Sequence, residues 1–162
     1  MEKRKMLTSI ANNMDEAIEV KVARTHEDAL LPTKGSIHAA GWDLYSLEDT
    51  IVRRRISTMV RTGLHVAIPE GYEGQVRARS SLGKKGLILP HSIGTIDADY
   101  RGELFVLMTW IGEGESYSIG KNERIAQLLI TPIPKSKFTE VTIDNLGETE
   151  RGDGGFGSTG RF

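Results

Sequence analysis

The sequence predicts an all-β protein, either a sandwich or a barrel of short strands. Alternating and continuously apolar stretches recur along the chain, and glycine or proline turn signals separate them roughly every ten residues. After residue 20, no segment has a helical period of useful length. Even spacing of short strands in this way is typical of β-sandwiches and β-barrels.

The individual strands are predicted from their hydrophobic patterns, taken in chain order. Apolar and polar residues alternate in strands such as 74–79, whereas 103–110 is a strong apolar run. Turn residues end several segments, as Pro69-Glu70-Gly71 does. The predicted strands are 18–23, 51–52, 58–64, 65–68, 74–79, 87–89, 103–110, 125–130 and 138–143.

At 162 residues, the chain is long enough for one domain with its own core. Residues 18–146 carry the predicted strands and are expected to form this β-domain. Residues 1–17 look like an N-terminal extension, in which Ser9 could cap a short helix across 10–18. Residues 147–162 end in a glycine-rich arm that we expect to be flexible.

Composition excludes several classes of function. The net charge is −1 with 27% charged residues, which gives no general field for nucleic acid or an anionic membrane. There is no cysteine, so disulfides, thiolate zinc sites and a cysteine nucleophile are excluded. Neither a signal peptide nor a transmembrane stretch is predicted, and we expect a soluble, cytoplasmic protein.

The glycine-rich arm carries groups that bind anions. Residues 151–160 read Arg-Gly-Asp-Gly-Gly-Phe-Gly-Ser-Thr-Gly, and glycine this dense cannot hold a helix or strand alone. The glycine N–H groups and the hydroxyls of Ser158 and Thr159 suit phosphate oxygens. Arg151 adds a planar charged fork, and Phe156 offers a face for a stacked base. The arm is therefore either a lid that orders over a nucleotide or a disordered terminus.

A second candidate anion site follows the predicted strand 74–79. Arg79-Ser80-Ser81-Leu82-Gly83-Lys84-Lys85-Gly86 combines cations, hydroxyls and glycines, either as an anion-binding turn or as a solvated basic turn. It is not a Walker motif, and neither is the segment 114–122, which we expect to be a surface hairpin.

A third candidate site lies between two predicted strands. Gly94-Thr95-Ile96-Asp97-Ala98-Asp99-Tyr100-Arg101-Gly102 holds two carboxylates, and its bracketing glycines suggest a hairpin with close backbone approach. Asp97 at the strand edge could accept a proton from water as a general base, or Asp97 and Asp99 could bond local backbone in a turn.

Other polar residues are less informative. Gln127 lies inside an apolar run and needs a partner, either protein backbone or a ligand. The four histidines are scattered without metal-ligand spacing, and no serine-nucleophile motif occurs.

Together these stretches resemble the trimeric deoxyuridine triphosphatase (dUTPase) family. The resemblance covers roughly residues 18–162 and is specific because five blocks stand in a fixed order. The blocks are Ala40-Gly41-Trp42-Asp43-Leu44, Arg79-Ser80-Ser81-Leu82 with Gly86, the segment 94–102, Arg124-Ile125-Ala126-Gln127-Leu128, and the segment 151–160.

The resemblance implies a distorted jelly-roll of β-strands and a homotrimer with three active sites at subunit interfaces. The implied reaction is hydrolysis of dUTP to dUMP and pyrophosphate, which keeps dUTP low and supplies dUMP for thymidylate synthesis. The resemblance also implies Mg²⁺ held by the triphosphate and water, with no direct protein ligand.

By similarity, each block takes a role. Asp97 would activate the attacking water and meet the 3′-hydroxyl, and Tyr100 would pack under the deoxyribose and exclude a 2′-hydroxyl. Asp43 would support the metal-water and phosphate network indirectly. The uracil would be read by main chain around Gly94, Thr95, Ile96 and Asp97 and at Phe105. The phosphates would be held by Arg79, Ser80, Ser81 and Gln127. The arm would close with Arg151, Gly157, Ser158 and Thr159 on the γ-phosphate and with Phe156 on uracil.

The chain departs from the family pattern in three places. Ser81 stands where the family usually has glycine, which puts a side chain where backbone approaches phosphate. His91 stands where many members have an asparagine near uracil, and it could substitute as a donor. The N-terminal extension has no counterpart.

Two alternatives are weighed against this assignment. The dCTP deaminases share the Arg-Ser-Ser form, but they would call for an arginine at Lys84 and a glutamate at Leu107. A regulatory protein that senses dUTP and binds a protein partner is the other alternative, and only residues 1–17 favour it.

Overall fold

The computed structural model describes residues 17–155 and confirms the all-β prediction. These residues contain ten strands and two very short helices. The strands are β1 Lys21–Arg24, β2 Trp42–Tyr45, β3 Thr50–Arg53, β4 Thr58–Ala67, β5 Tyr72–Ala78, β6 Leu87–Ile88, β7 Gly94–Ile96, β8 Glu103–Trp110, β9 Ser116–Ile119 and β10 Arg124–Pro132. The helices are α1 Ser80–Lys85 and a 3-10 helix at Ile143–Asn145.

The strands form two four-stranded sheets and one pair. One sheet has the order β1-β4-β8-β6, the other has the order β2-β10-β5-β7, and β3 pairs with β9. All the strand pairs are antiparallel, and most join strands that are distant in sequence. Two antiparallel sheets connected in this way have a jelly-roll architecture, as expected.

Both sheets contribute to one hydrophobic core. Leu64, Leu104 and Met108 of the first sheet and Leu44 and Ala126 of the second are fully buried in one cluster. Burying a side chain such as leucine stabilises the fold by about 1.5–3 kcal/mol. The core thus fixes the two sheets on which the candidate site is built.

Several predicted boundaries and elements differ from the structure. The predicted strands 58–64 and 65–68 are one strand, β4, which ends at Ala67, whereas β2, β7, β9 and helix α1 were not predicted as such. The predicted strand 138–143 is wrong: it pairs with no strand of the described chain, and Phe138 is 98% exposed. Alternation alone cannot produce a strand where no neighbouring strand accepts its hydrogen bonds. The predicted helix 10–18 lies outside the described residues except at its last two positions, which are not helical.

Within residues 17–155, no helix is long and apolar enough to cross a membrane.

Candidate active site

A cavity of about 300 Å³ opens beside strands β7 and β8. It brings together five of the residues predicted from the sequence with three that were not predicted. The predicted residues are Thr95, Ile96, Asp97, Tyr100 and Phe105, and the others are Met59, Glu103 and Leu107.

Strand β7 supplies one wall and is the edge strand of its sheet. It pairs with β5 on one side, with Gly74 opposite Ile96 and Val76 opposite Gly94. The other side of an edge strand presents main-chain donors and acceptors that the sheet does not use. Such a row can recognise the hydrogen-bonding edge of a planar ligand.

The segment between β7 and β8 is a turn and not the predicted hairpin. Strand β8 pairs with β4 and β6 in the other sheet, so the segment connects the two sheets. The N–H of Tyr100 donates to the carbonyl oxygen of Asp97 at 3.1 Å, which closes the turn. Asp97 is exposed at the end of β7, where its carboxylate can reach solvent.

His91 lies against Gly94 of β7. A Cβ atom added at Gly94 would lie 3.1 Å from Nε2 of His91, so the imidazole occupies the space beside this glycine. His91 is exposed and is not among the residues that line the cavity.

Glu103 was not predicted as a site residue, yet it lines the cavity and forms an ion pair with Arg61. Nε of Arg61 donates to Oε1 of Glu103 at 3.1 Å, and Nη2 donates to Oε2 at 3.0 Å. Burial alone would raise the pKa of the Glu103 carboxyl, but hydrogen bonds from Arg61 and the Gly63 N–H hold that pKa below its usual range. The same pairing raises the pKa of Arg61. The glutamate is therefore charged at neutral pH.

A second cluster forms where strands β2, β5 and β10 lie side by side. Asp43 on β2 is opposite Gln127 on β10, which is opposite Arg77 on β5. The buried carboxylate of Asp43 lies 3.4 Å from Nε of Arg79. Its other oxygen lies 3.5 Å from Nη1 of Arg124.

The Arg79 side chain is held in place by a second contact. Its Nη1 donates to the carbonyl oxygen of Arg124 at 3.0 Å. One carboxylate between two guanidinium groups leaves the cluster with a positive charge, which suits an anion such as a phosphate. Gln127 is half-buried, and its side chain packs 3.0 Å from the position of a Cβ added at Gly41.

Helix α1 places the two serines next to this cluster. Arg79 has extended dihedral angles and precedes the helix, so Ser80 and Ser81 form its first turn, and both are exposed. Leu82 is buried and anchors the helix in the core. The helix ends at Gly86, which has a φ of 104°.

Within one chain, the two clusters lie at opposite ends of strand β5. Ile96 is opposite Gly74, whereas Arg79 lies five residues further along the chain. Five residues of extended strand span about 16 Å at roughly 3.3 Å per residue. The Asp97 cavity and the Arg79 cluster are therefore not adjacent within a single chain.

The predicted lid is described only in part. Nε of Arg151 donates to the carbonyl oxygen of Gly154 at 2.7 Å, within a local turn. Phe156, Gly157, Ser158 and Thr159 lie outside the described residues.

The site residues that the sequence did not predict are brought to the site by the register between strands. Met59 is opposite Leu107, and Arg61 is opposite Phe105. This register brings side chains of β4 to the cavity wall. Arg124 stands in one of the sequence blocks, but its pairing with Asp43 requires the β2–β10 register. A register between strands far apart in sequence has no signal in a local pattern.

The fold and the site define an all-β protein of the jelly-roll class with a cavity beside an edge strand. The family model described as dUTPase matches residues 27–160, and the chain belongs to this family. Its sequence and its architecture both identify it as a member of the deoxyuridine triphosphate nucleotidohydrolases.

Known proteins support the family assignment over most of the chain. The deoxyuridine 5′-triphosphate nucleotidohydrolase of Syntrophotalea carbinolica is 47% identical over 146 residues, which are 88% of this chain and 97% of that protein. A mutant of the Staphylococcus bacteriophage 80alpha dUTPase with dUpNHpp is 29% identical, covers 88% of this chain and 98% of its own, and has a TM-score of 0.73.

A third relative is a mutant dUTPase from phage phi11 of S. aureus, whose structure describes a structural Mg(II) ion. It is 25% identical, covers 76% of this chain and 96% of its own, and has a TM-score of 0.68.

Proposed function

We propose that this protein hydrolyses dUTP to dUMP and pyrophosphate by attack of water on the α-phosphorus. The observation that supports the proposal is the cavity beside β7, whose lining includes both Asp97 and Tyr100. The family assignment indicates the class of reaction, and we propose Asp97 for activation of the water and Tyr100 for packing of the sugar.

Uracil is bound in this proposal by the free edge of β7. Main-chain groups of Gly94, Thr95 and Ile96, with Phe105 opposite, pair with the donors and acceptors of the base. Cytosine reverses one donor and one acceptor, so buried main-chain groups would be left unpaired. His91 lies against Gly94 and would support the main chain there. Tyr100 packs under the deoxyribose.

Asp97 acts as the general base. It is exposed on the cavity, where its carboxylate can hold a water molecule and accept its proton as the water attacks phosphorus. The proton passes to the carboxylate, the bond between the α-phosphorus and the bridging oxygen breaks, and pyrophosphate leaves with the electron pair.

The phosphates are bound by the second cluster. Arg79, held by Asp43 and by the carbonyl oxygen of Arg124, presents a guanidinium in a fixed orientation. Ser80 and Ser81 add hydroxyl donors from the first turn of α1, and Gln127 reaches the region of the α-phosphate. Phosphoryl transfer depends mainly on such positioning and on offsetting charge.

In this proposal, Mg²⁺ is bound through the substrate and water, because the carboxylate of the phosphate cluster, Asp43, is already paired with Arg79 and Arg124. Within residues 17–155, no three His, Asp or Glu side chains come together as a metal site. Mg²⁺ commonly takes its oxygen ligands from substrate phosphates and water. Bound in that way, the ion would offset the charge of the phosphate oxygens, while Asp43 acts on the network only through Arg79 and Arg124.

The assembly in this proposal is a homotrimer with its sites at subunit interfaces. One copy would supply the Asp97 cavity and a neighbouring copy the Arg79 cluster. The support is the separation of about 16 Å along β5, because a triphosphate bound near Asp97 cannot have its α-phosphate at Arg79 of the same chain. The C-terminal arm would close the site through Arg151, Gly157, Ser158 and Thr159, with Phe156 on uracil.

Deamination of dCTP is the alternative reaction for this fold. Leu107, which lines the cavity, is an apolar residue where the deaminases would call for a glutamate. An apolar side chain at this position can neither donate nor accept the proton that deamination requires.

The test is to measure pyrophosphate release from dUTP, dCTP, dTTP and UTP side by side, with ammonia release as a second readout. We expect rapid pyrophosphate release from dUTP alone. Ammonia release from dCTP would instead identify a deaminase, and no activity on dUTP would refute the proposal. Sedimentation of the same sample should give three times the chain mass.

A further inference from the structure

The ring of Tyr100 is fixed by contacts with Gly102, which precedes β8, and with Glu103, the first residue of β8. Its hydroxyl donates to the carbonyl oxygen of Glu103 at 2.9 Å. The ring lies directly on Gly102, because a Cβ atom added there would be 2.5 Å from Cζ and 2.9 Å from Cε2 of Tyr100. Although Tyr100 is 40% exposed, its position is therefore defined on two sides.

The start of β8 is itself attached to strand β4. The carboxylate of Glu103, whose side chain is 12% exposed, accepts hydrogen bonds from the guanidinium of Arg61 and from the N–H of Gly63 at 3.0 Å. Nδ1 of His65 is hydrogen-bonded to the carbonyl oxygen of Arg101 at 2.6 Å. Three contacts thus hold residues 101–103 against one stretch of β4.

The same stretch of β4 contains a bulge, and one of the contacts described above stabilises it. The register between β4 and β8 shifts between Arg61 and His65, and Gly63 has a φ of 68°. A Cβ at Gly63 would lie 2.9 Å from Cβ of Ala29, so the bulge can pack only as glycine. A bulge leaves main-chain groups without ladder partners, and Glu103 satisfies one of them, the N–H of Gly63.

We propose that Gly102 and Glu103 are positioning residues that hold the Tyr100 ring and so determine selectivity for a 2′-deoxyribose over a ribose. This proposal rests on the proposed function, in which the sugar packs on Tyr100. Glu103 acts through the main chain to which the tyrosine hydroxyl is bonded, and Gly102 acts by leaving room for the ring.

The physical reason is steric. A ribose differs from a deoxyribose by one hydroxyl group, and a pocket rejects it only if the wall beside C2′ cannot move. The Tyr100 ring is such a wall, because its hydroxyl is hydrogen-bonded to Glu103 and the ring packs on Gly102. If the ring is displaced or its support loosened, the ribose can enter.

The test compares kcat/KM for dUTP and UTP in the full-length wild-type protein and in two variants. Gly102→Ala forces the ring out of its supported position, because the added methyl group would lie 2.5 Å from Cζ of Tyr100; the variant should still fold, because the three nearest atoms all belong to the end of this one side chain. Glu103→Gln weakens the attachment to Arg61 and Gly63. In each variant, we expect the ratio of kcat/KM for dUTP to that for UTP to fall about tenfold or more.

Matched controls separate this role from a general loss of stability. In Gly35→Ala the added Cβ meets no atom of the described residues within 4 Å, and Glu70→Gln changes an exposed turn, so both should keep the wild-type ratio. Thermal unfolding of all five proteins should be recorded. An unchanged ratio in Gly102→Ala and Glu103→Gln would reduce the two residues to structural roles and refute the proposal.

A second measurement covers a variant that folds poorly or hydrolyses UTP too slowly to measure. The affinities of dUDP and UDP, measured by calorimetry on Gly102→Ala and on Arg61→Met, should show the same tenfold loss of discrimination, and equal discrimination would overturn the proposal. If the wild-type protein does not hydrolyse dUTP, the proposed function fails; if it does and the variants still discriminate, only this inference fails.

Discussion

Nε of Arg79 lies 3.4 Å from Oδ1 of Asp43, and this buried oxygen accepts no hydrogen bond from any of residues 17–155. Arg124 approaches the other carboxylate oxygen at 3.5 Å. Asp43 therefore acts as a charge between two guanidinium groups more than as a hydrogen-bond acceptor. Its place in β2, opposite Gln127, fixes that charge at the end of β5 where Arg79 begins the turn into α1.

Replacing Asp43 with asparagine should destabilise the fold. The variant leaves Arg79 and Arg124 facing each other without the carboxylate, and we expect the free energy of unfolding to fall by about 1–3 kcal/mol. Because Arg124 is half exposed, water screens its charge, and we expect a loss in the lower part of that range. Urea denaturation measures the change, and the exposed Asp144→Asn should stay within about 0.5 kcal/mol of the wild type.

Replacing Gly86 with alanine should be more damaging, because this glycine ends helix α1 against another loop. A Cβ at Gly86 would lie 2.5 Å from the main-chain nitrogen of Gly112, and its φ of 104° disfavours any other residue. We expect a loss of about 3 kcal/mol or more in unfolding free energy.

Gly114→Ala is the matched control for Gly86→Ala. Gly114 also has a positive φ, 79°, but a Cβ there would meet no atom within 4 Å in the part of the chain that the structure describes. Gly114→Ala should lose only about 1 kcal/mol of unfolding free energy, which is the cost of a positive φ for alanine. Equal losses in the two variants, measured in urea, would mean that the contact with Gly112 has no role.

The sequence was sufficient to predict the class of fold and the members of each cluster that are close in the chain. Thr95, Ile96, Asp97 and Tyr100 lie on one cavity because a single strand and turn carry them. Met59 and Leu107 reach the same cavity only through the register of β4 with β8, which is set by packing across the core. Such long-range register is not a property of any local pattern.

The two wrong elements have physical causes of the same kind. Residues 138–143 alternate like a strand, yet the described chain offers them no neighbouring strand. The segment 94–102 has the glycines of a hairpin, but β7 pairs with β5, so the turn connects two sheets. Local preference permits both structures, and the available partners decide between them.

Lowering the pH should remove the stabilisation that Glu103 provides. Its pKa is held below the usual range in the folded protein, so its contribution is complete above the pKa of an unfolded glutamate, about 4.3. The contribution is lost as the pH falls from there through the lowered folded value, because the unfolded chain binds the proton first. Wild type should exceed Glu103→Gln by about 1–2 kcal/mol at pH 7, and the difference should shrink below about pH 4. A constant difference between pH 7 and pH 3 would contradict this assignment.

Replacing Asp97 with asparagine should separate binding from catalysis. The amide keeps the shape of the side chain but cannot accept a proton, so dUTP should bind with an affinity within a few-fold of the wild type. The value of kcat should fall by roughly 10²–10⁴. Calorimetry with a non-hydrolysable analogue and steady-state pyrophosphate release measure the two quantities. Asp99→Asn, an exposed change two residues away, is the control, and turnover near the wild-type level in Asp97→Asn would exclude the base assignment.

Deleting residues 151–162 should leave a folded protein that hydrolyses dUTP poorly. Within the described chain, the hydrophobic core takes no residue after Ile130, so we expect the thermal midpoint to change little. We expect kcat/KM to fall about 100-fold or more, since a clamp on the γ-phosphate and a face for uracil would be lost together. Arg151→Ala, which removes only the charged fork, should lie between the wild type and the truncation. A truncated chain that fails to fold would show instead that the arm is part of the scaffold, and unchanged kcat/KM would show that it does not act on the substrate.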